Sequence, residues 1–216
     1  MSIKAVLFDL DGTLIDTERC YQIVWPKAVA HFGFEMTREQ ALMLRSLGRP
    51  FAPRQFKEWY GDSFNYDEVR AYRKELFEEL IAREGLKLKP YAEEILKYLK
   101  ERGVMISTAT ATDEERTTRY LTKVGLLDYF DKICCATQVK EGKPSPDLYL
   151  YAAEQVGFSK DECIAVEDAP NGVKSAAAAG IRTIYIPDTN DDEAAIDGLY
   201  YKKMNNLLEL KQLFEQ

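Results

Sequence analysis

The chain has 216 residues, enough for one α/β domain carrying a smaller insert, and 46% hydrophobic with 30% charged residues excludes a mostly disordered chain. Asp and Glu number 36 against 29 Lys and Arg, a formal charge of −7, so the chain lacks the basic footprint of a nucleic-acid binder. No apolar run approaches bilayer length, and the N-terminus lacks the apolar stretch of a signal peptide, which predicts a cytoplasmic protein with no membrane partner. The four cysteines form no CxxC pair and read as reduced, partly buried thiols.

Residues 3–8 are apolar and β-branched, the pattern of a buried parallel strand. The run stops at Asp9-Leu10-Asp11-Gly12-Thr13, where two carboxylates beside a glycine make no sense as packing. From about Asp16 to Leu88 the chain reads as helical throughout. Thr37 and Gln40 have the spacing of a capping box, and Ser46-Leu47-Gly48-Arg49-Pro50 breaks the helical pattern. Val69, Tyr72, Arg73, Leu76, Leu80 and Ile81 then recur at helical spacing over 66–83. Aromatics such as Trp25, Phe56, Trp59, Tyr60 and Phe64 read as a small core. The predicted organisation is a core of residues 1–16 and 88–216 interrupted by an all-helical cap of residues 17–87.

After the insert, helices and strands alternate. Helix 91–102 precedes strand 104–108, and helix 113–124 opens on a capping box from Thr112 to Glu115. Strand 132–136, helix 146–156 with Ser145 as its cap, strand 163–167, helix 170–179, strand 182–186 and helix 206–215 complete the chain. Asp191-Asp192-Glu193 reads as a solvated turn. The fold class is α/β, a doubly wound, Rossmann-like parallel sheet with a helical insert.

In such sheets ligands bind outside the carboxyl ends of the strands. Those ends carry Asp9 and Asp11, then Thr108-Ala109-Thr110, then Lys143, then Glu167-Asp168. Clustered carboxylates repel, so a cation belongs among them, and a site of few hard oxygens suits Mg2+. Lys143 and the Thr108 hydroxyl add donors for phosphoryl oxygens. An aspartate can then attack phosphorus while a second carboxylate serves the leaving group. Hydrolysis of a phosphate monoester needs roughly 20 kcal/mol or more of barrier reduction, most of which electrostatic preorganisation must supply. Each feature alone has an ordinary explanation as a turn, a cap or a solvated side chain; their order at consecutive strand ends does not.

The motifs Phe8-Asp9-Leu10-Asp11-Gly12-Thr13, Ile106-Ser107-Thr108-Ala109-Thr110, Gly142-Lys143-Pro144 and Val166-Glu167-Asp168-Ala169-Pro170 resemble those of the haloacid dehalogenase-like hydrolase superfamily, in its β-phosphoglucomutase and phosphoglycolate-phosphatase branch. The resemblance implies Asp9 as nucleophile and Asp11 as general acid/base. It implies Mg2+ held by Asp9, the Asp11 carbonyl, Glu167 and Asp168. Thr108, Ala109, Thr110 and Lys143 would hold the phosphoryl group and Arg49 the substrate. It also implies a cap that closes as a lid and, by analogy, a monomer. One departure matters: where true mutases carry a histidine on the first cap helix this chain has Tyr21, and its one histidine, His31, lies further along. The expected function is therefore a Mg2+-dependent phosphatase acting on a small phosphorylated metabolite, foremost a sugar phosphate. The alternatives are a β-phosphoglucomutase-type mutase and a catalytically silent regulatory module.

Overall fold

Strand β1 (Ala5–Phe8) is buried at every position and lies at the centre of the sheet. A computed structural model describes residues 2–188 and 193–215, so Asp191 and Asp192 of the acidic turn lie outside the described residues. Glu193 lies within them and takes Lys203 as its ion-pair partner. Among the described residues the sheet has five strands in the order β2-β1-β3-β4-β5, with β2 Met105–Thr108, β3 Cys163–Glu167, β4 Arg182–Tyr185 and β5 Lys202–Lys203. All pairings are parallel, and Phe8 stands opposite both Thr108 and Val166. That register brings Asp9 and Glu167 to one edge of the sheet.

Alternation along β1 sends Val6 and Phe8 to one face and Ala5 and Leu7 to the other. Helices α5 (Ala92–Glu101) and α6 (Glu114–Lys123) cover the first face; α7 (Asp147–Val156) and α8 (Pro170–Ala178) cover the second. Between β1 and β2 lie α1 (Glu18–His31), α2 (Arg38–Met43), α3 (Phe51–Tyr60) and α4 (Tyr66–Glu84). These helices share an apolar cluster of their own, in which Trp25 and Phe64 pack on Phe56 with ring centroids 5.1 and 5.0 Å away. The Thr37–Gln40 capping box forms, and the chain breaks where expected, at Ser46, whose φ is 54°. Both connections to the sheet run side by side: Asp16 N–H donates to Lys87 O at 2.8 Å and Lys89 N–H to Leu14 O at 2.9 Å.

Four local expectations are corrected. Residues 132–136 form only isolated bridges, Ser107 with Lys132 and Thr110 with Cys135, because the Thr108 hydroxyl takes over the pairing of Cys134 between them. The cap of α6 is Asp113, which accepts from Arg116 N–H at 3.1 Å, and Thr112 is released for another partner. Helix α7 starts at Asp147, so Ser145 does not cap it and donates instead to the Asp147 carboxylate at 2.8 Å. The last helix is a 3-10 helix over Leu207–Leu213, and the two-residue β5 before it went unseen in the sequence.

Candidate active site

The floor of the site is a buried ion cluster. Asp9 follows β1, and its N–H is anchored on Val166 O of β3 at 3.0 Å. Lys143, fully buried, donates to Asp9 Oδ1 at 2.6 Å and also to Glu167 Oε1. The Tyr149 hydroxyl, from α7, donates to the same Glu167 oxygen at 2.6 Å. Asp9 Oδ2 and Glu167 Oε2 are buried with no hydrogen-bond partner. Such orphaned oxygens are costly unless a cation or ligand meets them. Asp9, Glu167 and Asp168 each bring a carboxylate oxygen within 4.8 Å of the others, so this chain's donors fit a divalent cation. Without one, burial pushes the Asp9 carboxyl well up; Lys143 pulls it down, and Glu167, Asp168 and Asp11 add to the rise. Lys143 is held firmly protonated: burial acts against its charge, but Asp9 and Glu167 outweigh it.

Asp168 is held differently. Thr13 donates to its Oδ1 at 2.9 Å, and Arg45, from the insert, pairs with its Oδ2. The Arg45 guanidinium also lies 3.4 Å from Glu18. Burial raises the Asp168 carboxyl to about 7, with Arg45 working against the rise and Glu167 and Asp188 with it. Asn171 of α8 donates to the main-chain oxygens of Met43 and Arg45, tying this loop of the insert to the sheet edge. Gly172 packs so closely on Glu167 that any Cβ there would fall on the carboxyl group. Asp11 points both oxygens at hydroxyls: Thr17 donates to Oδ1 and Thr112 to Oδ2, each at 2.7 Å.

At 108–110 the Thr110 hydroxyl accepts from Thr112 N–H at 3.1 Å, and the other N–H and hydroxyl groups have partners within the fold. The Thr108 hydroxyl donates to Cys134 O at 3.0 Å and accepts from Cys134 N–H at 2.8 Å, so it serves the fold. The N–H of Ala109 is used by Phe8 O and that of Thr110 by Cys134 O. The crevice is lined instead by the next residues, Ala111 and Thr112. Arg49 lines its mouth, half-exposed, paired with Asp67 and 5.4 Å from the Tyr66 ring centroid. Thr13, Thr17, Arg45, Thr112 and Tyr149 were not singled out by their sequence context. Two carried a signal: Thr13 stands in the motif that runs from Asp9 to Thr13, and Thr112 in a T-x-x-E pattern that pointed to a cap.

Between sheet edge and insert lies a crevice of about 160 Å³, reached by Asp9 and Asp11 from below and by Tyr21, Trp25, Arg45 and Arg73 from above. Gly48 of the insert and Gly142 beside Lys143 meet backbone to backbone: Gly48 N–H donates to Lys143 O at 2.8 Å and Gly142 N–H to Arg49 O at 2.6 Å. A Cβ on Gly48 would lie 2.7 Å from the Gly142 Cα. The arrangement offers an unpartnered carboxylate oxygen, a second carboxylate two residues on, a fixed ammonium and a cation site, the parts of a phosphoryl-transfer centre.

Comparison with known proteins agrees. The family model for haloacid dehalogenase-like hydrolases matches residues 6–186. A phosphorylated carbohydrates phosphatase of Thermotoga maritima is 30% identical, the match covering 90% of this chain and 91% of that protein. The crystal structure of CbbY from Rhodobacter sphaeroides in complex with phosphate is 27% identical, covers 96% of each chain and superposes with a TM-score of 0.80. A β-phosphoglucomutase from Clostridium difficile, 20% identical and covering 98% of this chain and 97% of its own, shares the fold with a TM-score of 0.83. The chain belongs to the haloacid dehalogenase-like hydrolases.

Proposed function

We propose that this member of the family is a Mg2+-dependent phosphatase that hydrolyses small phosphorylated carbohydrates through an aspartyl-phosphate on Asp9. The broader class, phosphoric monoester hydrolase, is the one its relatives support. The observation that carries the finer reading is the Asp9 carboxylate: Oδ1 is fixed by Lys143, while the buried Oδ2 has no partner and Asp9 lines the crevice. Asp9 Oδ2 attacks phosphorus as the bond to the leaving oxygen breaks, and Asp11 delivers a proton to that oxygen. Asp11 then takes a proton from water as the water oxygen attacks the aspartyl-phosphate, releasing inorganic phosphate and restoring the Asp9 carboxylate. Thr17 and Thr112 hold Asp11 in place for both transfers. Asp9, Glu167, Asp168 and the Asp11 carbonyl would hold Mg2+, which when bound supplies positive charge against the phosphoryl oxygens. Lys143 supplies the same from the protein.

Hydrolysis is favoured over return of the group to a sugar by Tyr21. It lines the crevice stacked on Phe77 at 4.5 Å, and burial pushes its phenol well above the ordinary range. The insert 17–87 acts as a lid on the paired linkers at 14–16 and 87–89 and excludes water on closing. The enzyme works as a monomer. Four buried free cysteines fit the reducing cytoplasm, and among the described residues no helix is long and apolar enough to cross a membrane. Assays of p-nitrophenyl phosphate and a sugar-phosphate panel, with and without Mg2+, test the reading. Turnover that needs both Mg2+ and Asp9 is expected; turnover no greater than that of Asp9→Asn overturns it.

A further inference from the structure

The insert places in the crevice wall a cation that no carboxylate among the described residues neutralises. Arg73, on α4, is 6% exposed and lines the crevice, and its Nε and Nη1 are buried without a hydrogen-bond partner. Among the described residues no carboxylate pairs with it. Its neighbours are the Tyr21 and Trp25 rings, with centroids 5.1 and 4.6 Å from the guanidinium carbon. Two further arginines line the same crevice, Arg70 and Arg116. Arg116 spends its Nε on Asp113 at 3.0 Å, and its Nη1 is buried and unpartnered. Burial weakens the hold of Arg73 on its proton; Tyr21 opposes that effect, and Arg116 and Arg70 reinforce it.

This is an unusual balance. Arg45 and Arg49, the other arginines of the crevice, each have a carboxylate, Asp168 and Asp67. Contacts with aromatic faces return only part of what burying a guanidinium costs. The transferring phosphoryl group already has Lys143, and the carboxylate cluster on the sheet edge would add the cation it holds. The cap arginines therefore face a part of the substrate other than the group being transferred.

We propose that Arg73, backed by Arg116 and Arg70, forms an anion subsite for the leaving group, so that the preferred substrates are phosphate monoesters carrying a second negative charge, a carboxylate or a second phosphate. This rests on the phosphatase reading above. A planar fork of donors suits either anion, and a site of buried, otherwise unpaired donors discriminates against a substrate that lacks the partner.

The experiment uses matched pairs. 3-Phosphoglycerate against glycerol 3-phosphate adds a carboxylate, and ribulose 1,5-bisphosphate against ribulose 5-phosphate adds a phosphate; p-nitrophenyl phosphate reports the chemistry alone. Wild type is expected to favour the doubly charged member of at least one pair by about tenfold or more in kcat/KM, and that pair identifies the anion. Arg73→Gln is expected to lose about 30-fold on that substrate, and at least tenfold less on p-nitrophenyl phosphate. Arg70→Gln, at a half-buried position, reads the same preference should Arg73→Gln not fold, and is expected to reduce it several-fold. Hydrolysis of p-nitrophenyl phosphate with no preference within either pair overturns the subsite and leaves the phosphatase reading standing. Equal losses on every substrate in Arg73→Gln, with no change of preference in Arg70→Gln, would make Arg73 a packing residue and overturn it too. Absence of turnover even of p-nitrophenyl phosphate would overturn the phosphatase reading itself, and the subsite with it.

Discussion

Asp11 has each of its carboxylate oxygens bound to one hydroxyl, and the partner from the far strand end, Thr112, is the easier to remove without disturbing the insert. Thr112→Val is expected to lower kcat by about tenfold or more, the size of one hydrogen bond to a charged group, with little change in KM. Thr108 gives the opposite expectation. Because its hydroxyl serves only Cys134, Thr108→Val should cost about 1–3 kcal/mol of stability, read as a lower Tm, while KM for p-nitrophenyl phosphate holds within about twofold. A raised KM at unchanged Tm would return Thr108 to the phosphate site. Asp168 ties metal binding to pH. Its carboxyl titrates near 7 in the metal-free fold, so below that pH a cation must displace a proton to reach it. Apparent Mg2+ affinity, measured by Mg2+-dependent change in Tm or activity, should therefore climb about tenfold per pH unit up to roughly pH 7 and level off above it. The same raised value means that the folded metal-free protein holds this proton more tightly than the unfolded chain does. Its contribution to stability is therefore greatest at low pH and is lost as pH rises from the ordinary 3.8 through about 7. An affinity flat from pH 6 to 8 would contradict the placement of Asp168 at the cation.

At the scale of elements, what the sequence made legible was whatever a short window determines. The runs up to Phe8 and Val166 are continuous and apolar, and the run to Thr108 is short and β-branched at Ile106 and Thr108, so strands and strand ends could be read, and with them Asp9, Asp11, Glu167 and Asp168. The Thr37 box and the break at Ser46 are equally local. Residues 132–136 misled because their composition is that of a strand, whereas their pairing is set by a side chain 26 positions away. Thr112 misled because one T-x-x-E pattern is equally compatible with a cap and with a contact to a distant carboxylate, here Asp11. Arg73 falls in register with Val69, Leu76 and Leu80, so its inward direction is legible; that it shares the crevice wall with Arg116, and has no carboxylate partner among the described residues, depends on elements far along the chain. The seat of α8 against Glu167 gives a direct test. Gly172→Ala should cost about 1–3 kcal/mol through overpacking and weaken Mg2+ binding by about 10- to 100-fold by displacing Glu167. Unchanged Mg2+ affinity would remove Glu167 from the cation site.

At the scale of the whole molecule, an acidic protein binds an anionic substrate by concentrating a few cations where the charge is needed. The formal charge is −7, yet the crevice between sheet and insert gathers Lys143 beneath and several arginines above. The insert is seated on the sheet edge through Gly48, Gly142 and Asn171, so crevice geometry depends on that backbone contact. Gly48→Val should hold the insert away from Lys143 and lower kcat/KM by about tenfold or more, at little cost to thermal stability. The claim on which everything else depends is that the free oxygen of Asp9 takes the phosphoryl group. It is tested most directly by rapid acid quench during turnover of p-nitrophenyl phosphate with Mg2+, borohydride reduction and peptide mass analysis. The expected result is one modified residue, Asp9, absent without Mg2+ and absent in Asp9→Asn; steady release of phosphate with Asp9 never modified would contradict it.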